Sequence, residues 1–415
     1  MSEKNDAHFV PAAIIQQQNT PSVHELLLYD RTRSTTDWSC PRKRYWNYEF
    51  GGRGVVPEST DFYLYMGTAI HDALAAIAFQ HKEGGIDIDA IADAARKHMY
   101  DSIANQITSG DTGDEFETIV FAKEQSTLVE GLVRGFHKAV WPALIAEYPE
   151  ILLIEQELTY DHDGIRFMSK PDLVLGRDGD AFYIEYKSTM SKKDKWINSW
   201  NTAVQVHSSI KAIEAKLGQP VAAVIVQGLY KGYESYGKQS SPFCYGYARS
   251  AQPPFISGEV RYDYAPGFKR APVWEMEGGV REWVANMPDN TLVEQFPRTA
   301  PIFINEDLVN AFFNQRAIRE REIQMGMFLI EGTYEIDDKE TRAAGLDAYF
   351  PQKFEQCYPA FGNPCAYRSL CFSNSDNPLA LGYNWRESHH PMEAERHERK
   401  DRSIKEQEEG YGFGI

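Results

Sequence analysis

No stretch of the sequence approaches the roughly eighteen consecutive apolar residues of a membrane span, which excludes a helical membrane protein. The first residues also lack the basic start and apolar core of a secretory signal, so a cytoplasmic protein is expected. Positive charge is in deficit: 43 Lys and Arg against 60 Asp and Glu leave a formal net charge of −17. That argues against coating nucleic acid by bulk attraction, while leaving room for a local basic groove. Cysteine is scarce, five residues in 415, and the odd count speaks against a disulfide framework. No internal repeat of solenoid or propeller length is present.

What is there is an ordered change of pattern. Residues 1–21 read as a flexible leader, 22–382 as one domain, and 383–415 as a charged, mobile tail poor in apolar residues. Within the domain, 66–80, 86–106 and 115–148 carry helical spacing, with Ile70, Leu74, Ile77 and Ala78 on one side of the first. Short β-type runs follow at 151–160, 166–175 and 181–187, separated by Asp163-Gly164 and Asp178-Gly179 turns. A helix is expected at 195–217, a buried strand at 221–230, further strands at 243–249 and 258–264, and a long amphipathic helix at 306–329. Helices, then a short sheet, then helices imply one mixed α/β domain with a helical cap.

The chemistry concentrates in Pro171-Asp172 and, after a turn, Glu185-Tyr186-Lys187. Side chains alternate across a strand, so Tyr183, Glu185 and Lys187 share one face while Phe182, Ile184 and Tyr186 take the other. Asp172, on the preceding strand of the hairpin, can approach Glu185 across it. Two converging carboxylates repel, and a divalent cation relieves the repulsion. Mg2+ or Mn2+ takes such carboxylates together with waters and substrate phosphate oxygens, and the Tyr186 carbonyl offers one more ligand. The metal would polarise a phosphodiester and activate water, with Lys187 holding that water or stabilising transition-state charge. A surface hairpin with a cross-strand salt bridge is the competing reading of the same residues.

Three of the cysteines, Cys357, Cys365 and Cys371, crowd into fifteen residues, and thiolates are preferred ligands of iron–sulfur clusters and structural zinc. Pro359, Gly362 and Pro364 can fold the intervening segment so that the sulfurs converge. Cys244 reads as an ordinary small core residue. Two segments mix bases with aromatics: Lys192, Lys193, Lys195, Trp196 and Trp200 after the catalytic strand, and Arg42, Lys43, Arg44, Tyr45 and Trp46 beside Cys40. Each could grip phosphates and stack bases of single-stranded DNA, or supply core tryptophans beside a solvated helix start.

These motifs, in this order over roughly residues 37–372, resemble the RecB-like branch of the PD-(D/E)xK nucleases, which includes CRISPR-adaptation nucleases, the AddB subunit and phage exonucleases. The resemblance implies that His71, in Gly67-Thr68-Ala69-Ile70-His71, is a further metal ligand; by its spacing alone it could equally be a core histidine beside Leu74. It implies a role near DNA and the lysine for Gln205, although Ser209 stands where the family often has a tyrosine. Glu155 and Glu157 fit either an acidic position of the relatives or plain solvent-facing alternation, and neither is assigned as a ligand. The resemblance also implies that Cys40, Cys357, Cys365 and Cys371 hold a [4Fe–4S] cluster, with Zn2+ as the alternative. The seven residues between Cys357 and Cys365, where relatives commonly have two, are a departure.

The expectation is therefore an α/β, restriction-endonuclease-like core with a short mixed central sheet, flanking helices and a helical cap. Its expected activity is metal-dependent hydrolysis of DNA, as an exonuclease acting on single strands or free ends in recombination, repair or phage DNA processing. The alternative is a non-catalytic DNA-binding subunit of a recombination complex that retains the fold.

Overall fold

The computed structural model describes residues 27–58, 62–108, 115–189, 194–200, 203–231, 255–256, 259–260, 278–335, 338–358, 364–373, 377–388 and 394. The expected leader, Lys192, Lys193, Cys244, the 243–249 strand and most of the tail lie outside these residues.

The described chain begins with β1 (Leu27–Tyr29), α1 (Arg31–Ser39), α2 (Pro41–Arg44) and β2 (Val55–Pro57). Four helices follow: α3 (Phe62–Glu83), α4 (Ile88–Thr108), α5 (Glu115–Ala139) and α6 (Trp141–Glu147). The helix expected over 115–148 is thus two, because Pro142 cannot donate into a continuing ladder and sits in the first turn of the second. Then come β3 (Glu150–Ile154), β4 (Leu158–His162), β5 (Ile165–Ser169), β6 (Leu173–Arg177) and β7 (Asp180–Thr189). The helix expected over 195–217 is three short ones, α7 (Asp194–Ser199), α8 (Val204–His207) and α9 (Ile210–Leu217), before β8 (Val221–Tyr230). The remainder is β9 (Phe255–Ile256), β10 (Glu259–Val260), α10 (Gly279–Ala285), α11 (Asp289–Val293), β11 (Ile302–Phe303), α12 (Glu306–Glu335), α13 (Lys339–Tyr349), α14 (Arg368–Phe372) and β12 (Tyr383–Trp385).

The central sheet has the order β11-β8-β7-β6-β3. β7 and β8 run parallel and the other pairs antiparallel, as a mixed α/β core requires. β8 is apolar on both faces because it lies inside a two-sided sandwich. Leu173, Phe182, Ile184, Tyr186, Ile225 and Leu229 pack against α3, α4 and α5 through Ile70, Leu74, Met99, Leu132 and Phe136. On the other face Val174, Tyr183, Val224 and Val226 meet Ile210 and Ile213 of α9 and Val309, Phe312 and Phe313 of α12. Both faces of β7 are therefore buried.

The strands expected over 151–160 and 166–175 form one long hairpin with a break. Its outer half, β4 and β5, turns through Asp163-Gly164 and joins β1 in a separate three-stranded sheet. Its inner half, β3 and β6, belongs to the central sheet. The breaks face each other: Glu155 has a left-handed backbone, φ 45°, and donates its N–H to the Asp172 carbonyl at 3.1 Å. Pro171 has no N–H to give the ladder. The β6–β7 turn is the two-residue Asp178-Gly179, both residues at positive φ, as a tight primed turn demands.

A third cluster joins the two ends of the described chain, with Tyr45, Trp46 and Val55 against Ile323, Ile330, Leu346, Phe350, Leu370 and Tyr383. β12 pairs with β2, and Arg386 is buried. Packing therefore continues into residues expected to begin the mobile tail. Among the described residues no helix is long and apolar enough to cross a membrane.

Candidate metal centre and catalytic residues

The break in the long hairpin makes the site. It places Glu155 and Asp172 side by side where the two sheets part, and α3 brings His71 over them. His71 Nδ1 lies 3.0 Å from Asp172 Oδ1 and 3.6 Å from Glu155 Oε1. One ligand atom from each of His71, Glu155 and Asp172 lies within 4.8 Å of the others. The Glu155 backbone is strained for a residue with a side chain, and such strain persists where surrounding structure holds it. Here the Glu155–Asp172 backbone bond does so.

Asp172 is 8% exposed, and its second oxygen, Oδ2, accepts the Tyr186 N–H at 2.6 Å. Glu155 Oε2 receives Lys170 Nζ at 2.9 Å. Burial alone would depress the His71 imidazole, but Asp172 and Glu155 outweigh it and raise its pKa from 6.5 to about 10. Burial works to raise the Glu155 carboxyl, yet hydrogen bonds from His71 and Lys170 hold it below its ordinary value. A site with one imidazole and two carboxylates fits Mg2+ or Mn2+ in ligand chemistry and in spacing.

Glu185 is beside this group and outside it. It is 2% exposed, with Oε1 bound by Arg31 Nη1 at 2.7 Å and by Lys187, and Oε2 by the Tyr183 hydroxyl. Burial pushes its carboxyl up, but Arg31 and Lys187 pull it down to about 2. Leu173 pairs with Ile184, which sets Asp172 next to the Glu185–Tyr186 stretch, as the hairpin reading expects. The contact observed across the hairpin is Asp172 with the Tyr186 N–H. Tyr186 itself points its ring into the core against Phe136.

The structure thus brings together His71, Asp172, Glu185, Lys187 and the Tyr186 backbone, and adds two residues not assigned from sequence. Glu155 was indistinguishable from solvent-facing alternation because nothing in a single sequence marks its left-handed backbone. Arg31 carried no motif at all. Gln205 lies on α8, while Ser209, in the place of the family's tyrosine, bonds Ser169 of β5 at 2.7 Å. Trp196 and Trp200 are half-buried against the second face of the sheet, their rings edge to face at 5.7 Å.

The second basic segment is a correction. Arg44, 1% exposed, is clamped by Glu320 at 2.6 and 2.7 Å, and Arg42 binds Asp347 and the Phe350 carbonyl. Tyr45 and Trp46 are core residues. Arg42 and Arg44 tie α2 to the C-terminal helices, Arg44 through the buried Glu320 and Arg42 through the exposed Asp347, so these two guanidiniums are engaged within the protein.

Cys40, Cys357, Cys365 and Cys371 are free thiols; Cys40 and Cys357 are buried, and Cys365 and Cys371 pack against the third cluster. The Cys365 N–H donates to the Cys357 carbonyl at 3.0 Å. Burial, then the neighbouring Cys365 and Cys40, raises the Cys357 thiol; Cys371 is pushed up to about 11, mainly by burial. Remote Cys40 is near enough to act electrostatically on both Cys357 and Cys371.

No curated protein matches the chain. A family model described as the PD-(D/E)XK nuclease superfamily matches residues 33–240, half of the chain, a span containing His71, Glu155, Asp172, Glu185 and Lys187. By its fold and by this match, the chain belongs to the PD-(D/E)XK nuclease superfamily.

Proposed function

We propose that this protein is a metal-dependent deoxyribonuclease of the RecB-like branch, working in the cytoplasm as an exonuclease on single strands or free ends. The observation that carries the reading is the compact His71–Glu155–Asp172 group, with Glu185 and Lys187 on the adjoining strand. When bound there, Mg2+ or Mn2+ would polarise the phosphodiester and make water a better nucleophile. His71, Glu155 and Asp172 would hold it together with Glu185, and the Tyr186 N–H fixes the Asp172 carboxylate in place. Glu185 holds the Lys187 ammonium at the site, where it orients the attacking water or stabilises charge on the phosphorane-like transition state. Gln205 is assigned a supporting role near the strand, and the Tyr186 carbonyl that of a further ligand.

The test is incubation with end-labelled single- and double-stranded DNA under Mg2+, Mn2+ or EDTA, for wild type and Lys187→Ala. Metal-dependent shortening lost in the variant is expected; equal, metal-indifferent behaviour of both would favour the non-catalytic DNA-binding subunit.

The four cysteines are assigned a structural [4Fe–4S] cluster. The remote Cys40 and the accompanying nuclease motifs support this cluster over zinc. Anaerobic purification should give a brown protein containing iron; a colourless one containing zinc would reverse the assignment.

A further inference from the structure

Arg31 is a cation at the site whose purpose the metal-nuclease reading does not absorb. It is the first residue of α1, and its backbone is fixed from two sides. The preceding strand β1 pairs with β5, and the Asp30 cap accepts the Arg33 N–H at 2.8 Å. Only the Arg31 side chain is free to turn. That side chain is 34% exposed, while the Glu185 carboxylate it binds is buried.

With His71 neutral, as a ligating imidazole must be, the fixed charges around the centre balance before the cation itself is counted. Glu155, Asp172 and Glu185 face Lys170, Lys187 and Arg31. Adding a divalent cation leaves an excess of two positive charges in a buried space, and Glu185 is then contested between the cation and Arg31. A phosphate of a nucleic-acid strand is the anion that relieves both problems. It offsets the excess, and it offers the forked oxygen pair that a guanidinium recognises.

We propose that Arg31 is a positioning residue that holds Glu185 in the metal-free enzyme and turns to a backbone phosphate of the substrate strand when the cation is bound, so that metal and strand load together. This rests on the metal-dependent nuclease reading. Because binding free energies are reciprocal, the strand tightens the metal by the same factor as the metal tightens the strand. Arg31 is the element both ligands bias.

The test is calorimetric titration of Mn2+ into wild type, Arg31→Gln and Arg31→Lys, with and without a hydrolysis-resistant phosphorothioate oligonucleotide. Thermal unfolding verifies that each variant is folded. Without DNA, Arg31→Gln should bind Mn2+ several-fold more tightly than wild type, roughly fivefold for release of a partly exposed ion pair. The oligonucleotide should tighten Mn2+ on wild type by about tenfold, within the usual range of coupling, and on Arg31→Gln by much less. Arg31→Lys, which keeps the charge and loses the fork, should bind Mn2+ like wild type without DNA and show reduced coupling. Equal or weaker Mn2+ binding by DNA-free Arg31→Gln, or coupling as large as in wild type, overturns the proposal. Failure of the nuclease reading looks different: wild type then binds no Mn2+ in either state, and the role of Arg31 falls with it.

Discussion

Replacing Asp172 by Asn separates the charge of this residue from its shape. The carboxylate makes two observed contacts, Oδ2 with the Tyr186 N–H at 2.6 Å and Oδ1 with His71 Nδ1 at 3.0 Å. An Asn side chain can keep both: its oxygen accepts the Tyr186 N–H, and its amide nitrogen donates to an unprotonated His71. The exchange trades charge-assisted bonds for neutral ones, a difference of about 1 kcal/mol. Folding stability should therefore change by no more than about 1–2 kcal/mol. Asp172→Ala, by contrast, strands the buried Tyr186 N–H and should cost about 2–4 kcal/mol. Activity should order the variants differently. Loss of a supporting partner of a metal ligand costs about 10–100-fold; loss of the anionic ligand itself should cost at least about 100-fold, equally in both variants. Without the Asp172 charge, His71 should also titrate far below its value of about 10. Denaturant unfolding, end-labelled DNA cleavage and imidazole NMR read the three quantities. A stable, nearly fully active Asp172→Asn enzyme would refute the reasoning.

Other perturbations test other parts of the structure. Glu320→Ala removes both oxygens that clamp Arg44, 1% exposed, leaving it Glu49 at 2.9 Å, and should destabilise the protein by about 2–4 kcal/mol in denaturant unfolding, somewhat less than breaking a fully isolated buried pair. At Gly228, which pairs with Lys187, an added Cβ would stand 2.7 Å from the Trp196 ring and 2.8 Å from Pro297. Gly228→Ala should cost about 1–3 kcal/mol, shift tryptophan fluorescence and lower cleavage. The pH dependence of metal-free stability has a definite sign. Glu185, lowered from 4.5 to about 2, contributes fully above pH 4.5 and loses its contribution as pH falls through about 2. His71, raised from 6.5 to about 10, contributes fully below pH 6.5 and loses its contribution as pH rises through about 10. Melting temperature should thus decline above pH 6.5 without metal. Saturating Mn2+ should flatten that decline, since a ligating imidazole has already given up its proton.

Local signals were legible where a local cause dictated the structure. The apolar run at 221–230, closed by Gly218 and Pro220, is β8 from end to end. Both Asp-Gly pairs form the turns their residues favour. Glu185-Tyr186-Lys187 sits on β7 as expected, whereas Pro171-Asp172 stands in the break just before the adjoining β6 and not on the strand itself. The bend of the long hairpin was hidden because alternation continues across Glu155 into β4, while the change of sheet depends on β1, over a hundred residues away in sequence. Arg44 looked available because Glu320, 276 residues away, cannot be seen as its partner in sequence. Glu155 was hidden for the same reason: its place beside His71 and Asp172 exists only once α3 packs over the hairpin break.

The most direct test is to locate Mn2+ in the folded protein by anomalous diffraction from crystals grown with the ion. The account predicts a peak at about 2.0–2.2 Å from an imidazole nitrogen of His71 and from carboxylate oxygens of Asp172 and Glu155, with Lys187 alongside. A peak elsewhere, or none at these residues while the enzyme still cleaves DNA with Mn2+, would contradict it.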